Sequence, residues 1–519
     1  MKKALLLLII AILFLNSCQS AIPIVDDAIE IQEAIILPEP IQPYEAPKGD
    51  AQMEYSGVAA LYLPRRDGTR LVVKYSQVLF SASRHEAETA VRALLTYPET
   101  DDCLPAGKGV TIQLTGNTPV EISHDVCSVN LTPSCLALDM EDFITLCQAI
   151  TNTVTEFLDV KYVNILVSGR QIGLDTASML PLGTLQRRVG EDLGAAYSRV
   201  DIQRVKYNEE HEQKRFTSAA TLYFPAADGN GILPEARMIT FPGQMPAQLA
   251  QTLLNELSQG AQLLSSIPAL PNLNAFLTSP PAVTQTSTGT RHITLSFDSS
   301  LNEALAESQL TRSSLMASLT YTLTTFIPET SGVIVFIGDE PVLSVTPASI
   351  YAANEPIYFR DGVQQRGDYS RLLLGLAKLY FASEDGQKLI AVYRPVPYFE
   401  VRNPRYLLEQ LAQGPKPYDD YANVRPVMPE GLRDPDFLGF AVEDDTLLIN
   451  LSLAFQAACS QYDETRERLL IYAMVNTLCE TLSLKRVRFY IADNQPEYLS
   501  GHLYLPGYFI INTGIIRTR

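Results

Sequence analysis

The chain has no tryptophan and only five histidines. Without tryptophan, any platform for stacking on sugar rings would have to be built from tyrosine. His85, His124, His211, His292 and His502 lie far apart in sequence, and none recurs at one place in a repeated pattern. A catalytic or metal-binding histidine needs an acid or cysteine neighbour on a defined scaffold. There is no Walker A loop, no Rossmann fingerprint, no calcium loop, no Gly-x-Ser-x-Gly elbow and no Cys-x-x-Cys pair. Positive charge is also scarce. Forty Lys and Arg stand against 58 Asp and Glu, a net charge of −18. That balance excludes nucleic acid as a partner and argues against electrostatic binding to anionic lipid or teichoic acid. After the N-terminal segment, no apolar run is long enough to cross a bilayer.

What is present is a repetition. Ala60-Leu61-Tyr62-Leu63-Pro64, Thr221-Leu222-Tyr223-Phe224-Pro225 and Lys378-Leu379-Tyr380-Phe381-Ala382 are one strand written three times, about 160 residues apart. An Asp-Gly pair follows each at the same offset: Asp67-Gly68, Asp228-Gly229 and Asp385-Gly386. The period is domain-sized, longer than that of a solenoid. Each Asp-Gly pair reads as a hairpin turn rather than a metal site, because calcium needs six or more oxygens and a turn offers one carboxylate.

The N-terminus carries a second signal. Lys2 and Lys3 precede the apolar run Ala4 to Leu15, which has the shape of a secretory h-region. It ends in Leu15-Asn16-Ser17-Cys18, which resembles a bacterial lipobox whose cysteine thiol is diacylated and becomes residue one after cleavage. The alternatives are an ordinary signal peptide with an incidental cysteine, or an uncleaved anchor. Prolines at 38, 40, 43 and 47 then mark a semi-stiff spacer. The expected location is the outer face of the cytoplasmic membrane, with membrane contact through lipid on Cys18.

Each copy reads strand, turn, strand, helix, strand, helix, strand. In copy three, Asn403 as N-cap and Pro404 open a helix through Leu407, Leu408 and Leu411 that stops at Gly414-Pro415. Copy two matches from Pro246 to Gly260, whereas Tyr97-Pro98 ends the helix in copy one. An alternating strand follows at Ser128–Leu131, Ile293–Phe297 and Leu448–Leu451. A second, longer helix has one apolar face: Phe143, Cys147, Ile150, Val154 and Phe157 in copy one, Leu315, Leu319, Leu323 and Phe326 in copy two, Ile471, Val475, Leu478 and Leu482 in copy three. Closing strands lie at Tyr162–Val167, Val333–Ile337 and Val487–Ile491. The expected class is α+β, with three tandem small mixed β-sheet domains, each with two helices packed on the sheet. The boundaries are signal 1–17, spacer 18–55, repeat one 56–180, linker 181–217, repeat two 218–340, linker 341–374 and repeat three 375–519.

Candidate site residues are few. Tyr62, Tyr223 and Tyr380 alternate with apolar neighbours, so they belong either to the core or to an exposed second face that could form a binding surface. Cys103, Cys127, Cys135, Cys147, Cys459 and Cys479 allow free buried thiols, disulfides or a zinc site. Copy two has no cysteine, so the fold does not need them. Glu443, Asp444 and Asp445 are consecutive before a strand, so they alternate faces and cannot converge on one atom. No cofactor and no enzymatic activity are expected.

The opening strand, Leu407-Leu408…Gly414-Pro415, Asn450-Leu451-Ser452, Tyr321-Thr322-Leu323 and Asn476-Thr477-Leu478 occur in an order that resembles the GerMN domain of spore-germination and sporulation lipoproteins. The resemblance spans nearly all the chain after the spacer. It implies a lipid-anchored scaffold of spore formation or germination that docks on envelope or sporulation proteins. The alternative is a peptidoglycan- or germinant-binding sensor module at the cell surface. Since one cysteine carries the whole anchor, Cys18→Ala should move the protein from the membrane fraction to the soluble one. A mutant pelleting with membranes at the wild-type level would refute the lipid anchor.

Overall fold

The repeated strand forms half of an antiparallel hairpin in each copy. The computed structural model describes residues 44–50, 53–67, 71–123, 125–171, 185–187, 215–243, 245–262, 267–285, 291–327, 330–352, 355–421 and 423–518. Ala46–Arg519 form one compact unit, which holds all three copies. Cys18, the signal segment and most of the spacer lie outside the described residues. The hairpins pair Glu54–Pro64 with Leu71–Ser81, Phe216–Pro225 with Ile232–Phe241, and Leu374–Ser383 with Leu389–Pro397. Their registers agree, with Tyr62 opposite Val73, Tyr223 opposite Pro234 and Tyr380 opposite Ala391.

The first helices are Glu86–Thr96, Pro246–Ser258 and Pro404–Ala412. Asn403 caps the third as expected, accepting from the Arg405 and Tyr406 N–H groups at 3.1 and 3.4 Å. In copies two and three the helix ends at a glycine with positive φ, Gly260 (79°) and Gly414 (73°). A buried arginine from the second hairpin strand takes the freed carbonyls. Arg394 donates to Gln410 O at 2.9 Å and Gly414 O at 2.7 Å, and two further bonds of 2.7 Å reach Asp419. Arg237 does the same with Glu256 O, Gly260 O and Glu235. Copy one has Ser76 at this register and ends its helix at Tyr97-Pro98 instead.

Three further strands form the centre of a separate mixed sheet in each copy. An antiparallel strand (Val120–Ser123, Ala282–Gln285, Phe437–Glu443) pairs with the middle strand (Val126–Leu131, Arg291–Phe297, Thr446–Leu451). The closing strand (Tyr162–Val167, Thr330–Ile337, Arg486–Ile491) runs parallel to the middle one. A parallel neighbour requires a crossover, supplied by the long helix at Met140–Val154, Arg312–Phe326 or Glu464–Leu482. This is the α+β architecture that the sequence implies.

The long helix packs against both the hairpin and the sheet. In copy two, every residue from Ser313 to Phe326 is buried, not only the apolar stripe. The buried hydroxyls therefore need partners. Thr322 accepts the Tyr223 N–H at 3.0 Å, and Ser318 donates to the Tyr223 carbonyl. Thr153 and Thr477 accept the N–H groups of Tyr62 and Tyr380, each at 3.1 Å. A two-stranded hairpin leaves an outer row of backbone groups without a ladder, and a buried N–H in that row requires an acceptor. One threonine per copy supplies it.

Three expected boundaries change. Residues of the 18–55 spacer join copy three: Gly49 and Asp50 pair in parallel with Gly439 and Phe440. Arg405 holds Asp50 with two bonds, 2.7 and 2.8 Å. A Cβ at Gly439 would lie 2.5 Å from the carbonyl oxygens of Pro47 and Gly49, so only glycine admits this approach. The 181–217 linker returns Leu185–Gln186 to the closing strand of copy one, and the 341–374 linker returns Val363–Gln364 to that of copy two. These two-residue strands cover edges that would otherwise be open, and they are too short to show periodicity. All six described cysteines are free and buried. Burial pushes the Cys135 thiol up to about 11 and those of Cys459 and Cys479 up to about 12, so they behave as small apolar side chains.

Two substitutions probe these buried contacts. Thr477→Val preserves shape but strands a buried N–H, and should cost about 1–3 kcal/mol in chemical denaturation, while Thr477→Ser should largely restore stability. Arg394→Met leaves Asp419 buried without a cation and should cost about 3–5 kcal/mol. A neutral result for Thr477→Val would show that the hydroxyl is dispensable.

Candidate functional site

The three repeated tyrosines are core residues, not an exposed binding surface. Tyr62, Tyr223 and Tyr380 are 8%, 1% and 1% exposed. With its N–H held by a threonine, each ring is drawn against the long helix, and its hydroxyl meets a carboxylate. Tyr62 donates to Glu156 at 2.7 Å and Tyr380 to Glu480 at 2.9 Å. Both acids stand three residues after the clamping threonine, close to the next helical turn. A cation completes each group. Arg187 lies 5.0 Å from the Tyr62 ring centre and pairs with Glu156; Lys378 lies 5.5 Å from the Tyr380 ring centre and pairs with Glu480. Burial pushes Glu156 upward, but bonds from Arg187 and Tyr62 outweigh it and hold the carboxyl below its ordinary range. Burial, reinforced by the neighbouring acid, pushes the Tyr62 and Tyr380 phenols up to about 12, so they stay neutral donors.

Copy two is built differently. The position three after Thr322 is Thr325, and the acid comes from copy one: Tyr223 donates to Glu121 at 3.3 Å. The cation is Arg366, in the segment after copy two, 4.3 Å from the Tyr321 ring centre and 5.6 Å from that of Tyr223. Arg366 also bonds the Thr325 hydroxyl. Burial raises the Glu121 carboxyl above its ordinary value, against the opposing pull of Arg366 and Tyr223. A cavity of about 350 Å³ lies here, walled in part by Glu121, Tyr223, Tyr321 and Arg366.

Further contacts join the copies. Ala219 and Ala236 of the second hairpin pack on Val126 and Tyr162 of the first sheet. From copy three, Tyr398 donates to Val120 O at 3.3 Å and Arg402 to Ala82 O at 3.0 Å. A cleft of about 930 Å³ is lined by residues of all three copies. Its charges are paired along the walls: Arg84 and Arg92 with Glu88, His85 with Asp159, and Lys378 with Glu480. His85 also caps its helix, Nδ1 accepting from Ala87 N–H at 3.1 Å. His124 and His211 lie outside the described residues. Among the described residues, no group of three or more His, Cys, Asp or Glu could hold a metal ion, and no helix is long and apolar enough to cross a membrane.

Sequence reasoning missed Arg187, Arg366 and Glu121. The first two stand in segments read as linkers, and Glu121 has no counterpart acid in the other copies. The threonines, by contrast, were visible in Tyr321-Thr322-Leu323 and Asn476-Thr477-Leu478, and Asn152-Thr153-Val154 matches them.

No curated protein matches the chain in sequence. Among solved structures it is similar to the tandem GerMN domains of the sporulation protein GerM from Bacillus subtilis, at 16% identity over 60% of this chain and 99% of that one, with a TM-score of 0.20. The first GerMN domain of the same protein matches at 19% identity over 27% of this chain and 97% of that one, also with a TM-score of 0.20. The family described as Germane, sporulation and spore germination, matches three times, at residues 60–173, 221–343 and 378–497. Those stretches cover more than half of the chain and fall on the three copies, so this protein belongs to the Germane family of sporulation and spore germination and carries its domain in triplicate.

Proposed function

We propose that the protein is a lipid-anchored, extracytoplasmic scaffold of spore formation or germination that docks on envelope proteins and catalyses no reaction. One observation carries the docking reading. The outward face of the copy-one hairpin presents Val58, Tyr75 and Leu79, which are 55%, 76% and 56% exposed. Registers place them on one face with Ser56, Ala60, Val73 and Gln77, none of which is charged, and Glu54 lies at its end. The matching face of the copy-two hairpin, around Ala219 and Ala236, is buried against copy one. The same surface thus packs on protein in one copy and is open in another. Contiguous exposed apolar surface of this kind marks an interaction site. Family membership supplies the setting, spore formation or germination.

The reading is tested with a photo-crosslinking residue at position 75 in sporulating cells, using position 158, a fully exposed leucine, as control. Adducts to defined envelope proteins should form from position 75, not from 158, and Val58→Asp should abolish them without lowering the melting temperature. Equal crosslinking from both positions would refute a docking face.

A further inference from the structure

The tyrosine cluster of copy two is open where the other two are closed. In copies one and three, the carboxylate that receives the tyrosine hydroxyl is itself ion-paired to the cation beside the ring, Glu156 to Arg187 and Glu480 to Lys378. In copy two, Glu121 and Arg366 both face Tyr223, yet among the described residues they form no ion pair with each other. Glu121 is buried, and its hydrogen-bond donor among the described residues is the Tyr223 hydroxyl, 3.3 and 3.5 Å from its two oxygens. Arg366 bonds Thr325 and the Tyr321 carbonyl through Nη1, and its side chain also hydrogen-bonds Tyr223. Acid and guanidinium both line the cavity of about 350 Å³, with Ser128 and Ser370 adding hydroxyls to its wall.

A buried carboxylate with no cation in contact is costly, and so is a guanidinium with no anion in contact; here the two act on each other only at a distance. Water can fill such a space, but it neutralises neither group. A simple anion would satisfy Arg366 and be repelled by Glu121; a simple cation would meet the reverse. The complementary occupant carries both charges a few bonds apart. The volume is at the small end of ligand pockets. The Tyr223 and Tyr321 rings offer apolar surface for a short side chain. We propose that this cavity binds a small zwitterion of the free α-amino-acid class, its carboxylate on Arg366 and its ammonium on Glu121. Such a ligand would bridge copy one to the segment that follows copy two, closing in trans the pair that the other copies close in cis. The site is separate from the Tyr75 face, so its test stands whether or not that face binds protein.

The probes are the free L-amino acids at millimolar concentration, added one at a time to the purified protein in thermal-shift and calorimetric titrations. At least one should raise the melting temperature, and its methyl ester and its N-acetyl derivative, each lacking one charge, should not. Glu121→Gln and Arg366→Gln should each weaken binding by about tenfold or more, the scale of a lost charge-assisted bond. Arg187→Gln, in the closed cluster of copy one, should leave the response intact. Because either pocket variant could also loosen the fold, the ester and N-acetyl comparison on the unaltered protein decides independently. Failure of every free amino acid to bind would overturn the proposal. So would equal binding of the ester or the N-acetyl derivative, or equal loss of response in Arg187→Gln.

Discussion

The hydrogen bond from a strand N–H to a helix threonine is the constraint on which each copy depends. The hairpin is two strands wide in copies one and two, and in copy three a third strand, Val424–Arg425, reaches only Ala382 and Ser383, so the outer row at the tyrosine has no ladder partner. Burying that row against the long helix would ordinarily leave a stranded donor, at a cost comparable to a lost hydrogen bond. Thr153, Thr322 and Thr477 remove this cost at the same register. They also fix where the helix sits along the hairpin, because a hydroxyl on a β-branched side chain has little rotational freedom. The helix in turn is the crossover between two parallel strands. One side-chain acceptor therefore ties the hairpin layer to the sheet layer in all three copies.

From this common point the copies diverge in a way that joins them. Copies one and three keep an acid three residues after the threonine and neutralise it locally, with Arg187 and Lys378. Copy two has Thr325 there and takes its acid from copy one. The exchange turns an internal core contact into a contact between repeats. Copy three reaches back to copy one through Tyr398 and Arg402, and the segment before copy one pairs with the sheet of copy three. Repeats joined only to their neighbours in sequence would fold as a row of independent terms. Here the first and third copies share buried contacts, so their stabilities are coupled.

Periodicity and turn chemistry made most of the fold legible. The Asp-Gly turns, the Asn403-Pro404 helix start, the glycine helix stops and the closing strands all follow from local rules. What escaped depended on distant partners. Tyr62, Tyr223 and Tyr380 left core and surface open because a strand residue's face is set by what packs on it, and the long helix was credited with one buried face only. Its serines and threonines in copy two look like a polar face until their backbone partners are known. Leu185–Gln186 and Val363–Gln364 were unreadable as strands because two residues have no period. Arg394 and Asp419 lie 25 residues apart, and nothing local reveals that they meet.

The open surfaces arise from the same arithmetic of repeats. A chain of related domains that pack through one kind of face must leave that face unused at an end of the series. In this protein it is the copy-one hairpin, whose exposed positions carry Val58 and Tyr75 where copy two carries the buried Ala219 and Ala236. Small residues suit a face pressed against a neighbouring sheet. Larger apolar residues on a solvent-facing strand pair are costly unless something covers them, because their hydration is unfavourable and strand surfaces of this kind promote association. Retaining Tyr75 and Leu79 there, on a chain otherwise rich in acidic groups, is more consistent with a surface shaped for a protein neighbour than with one left to water.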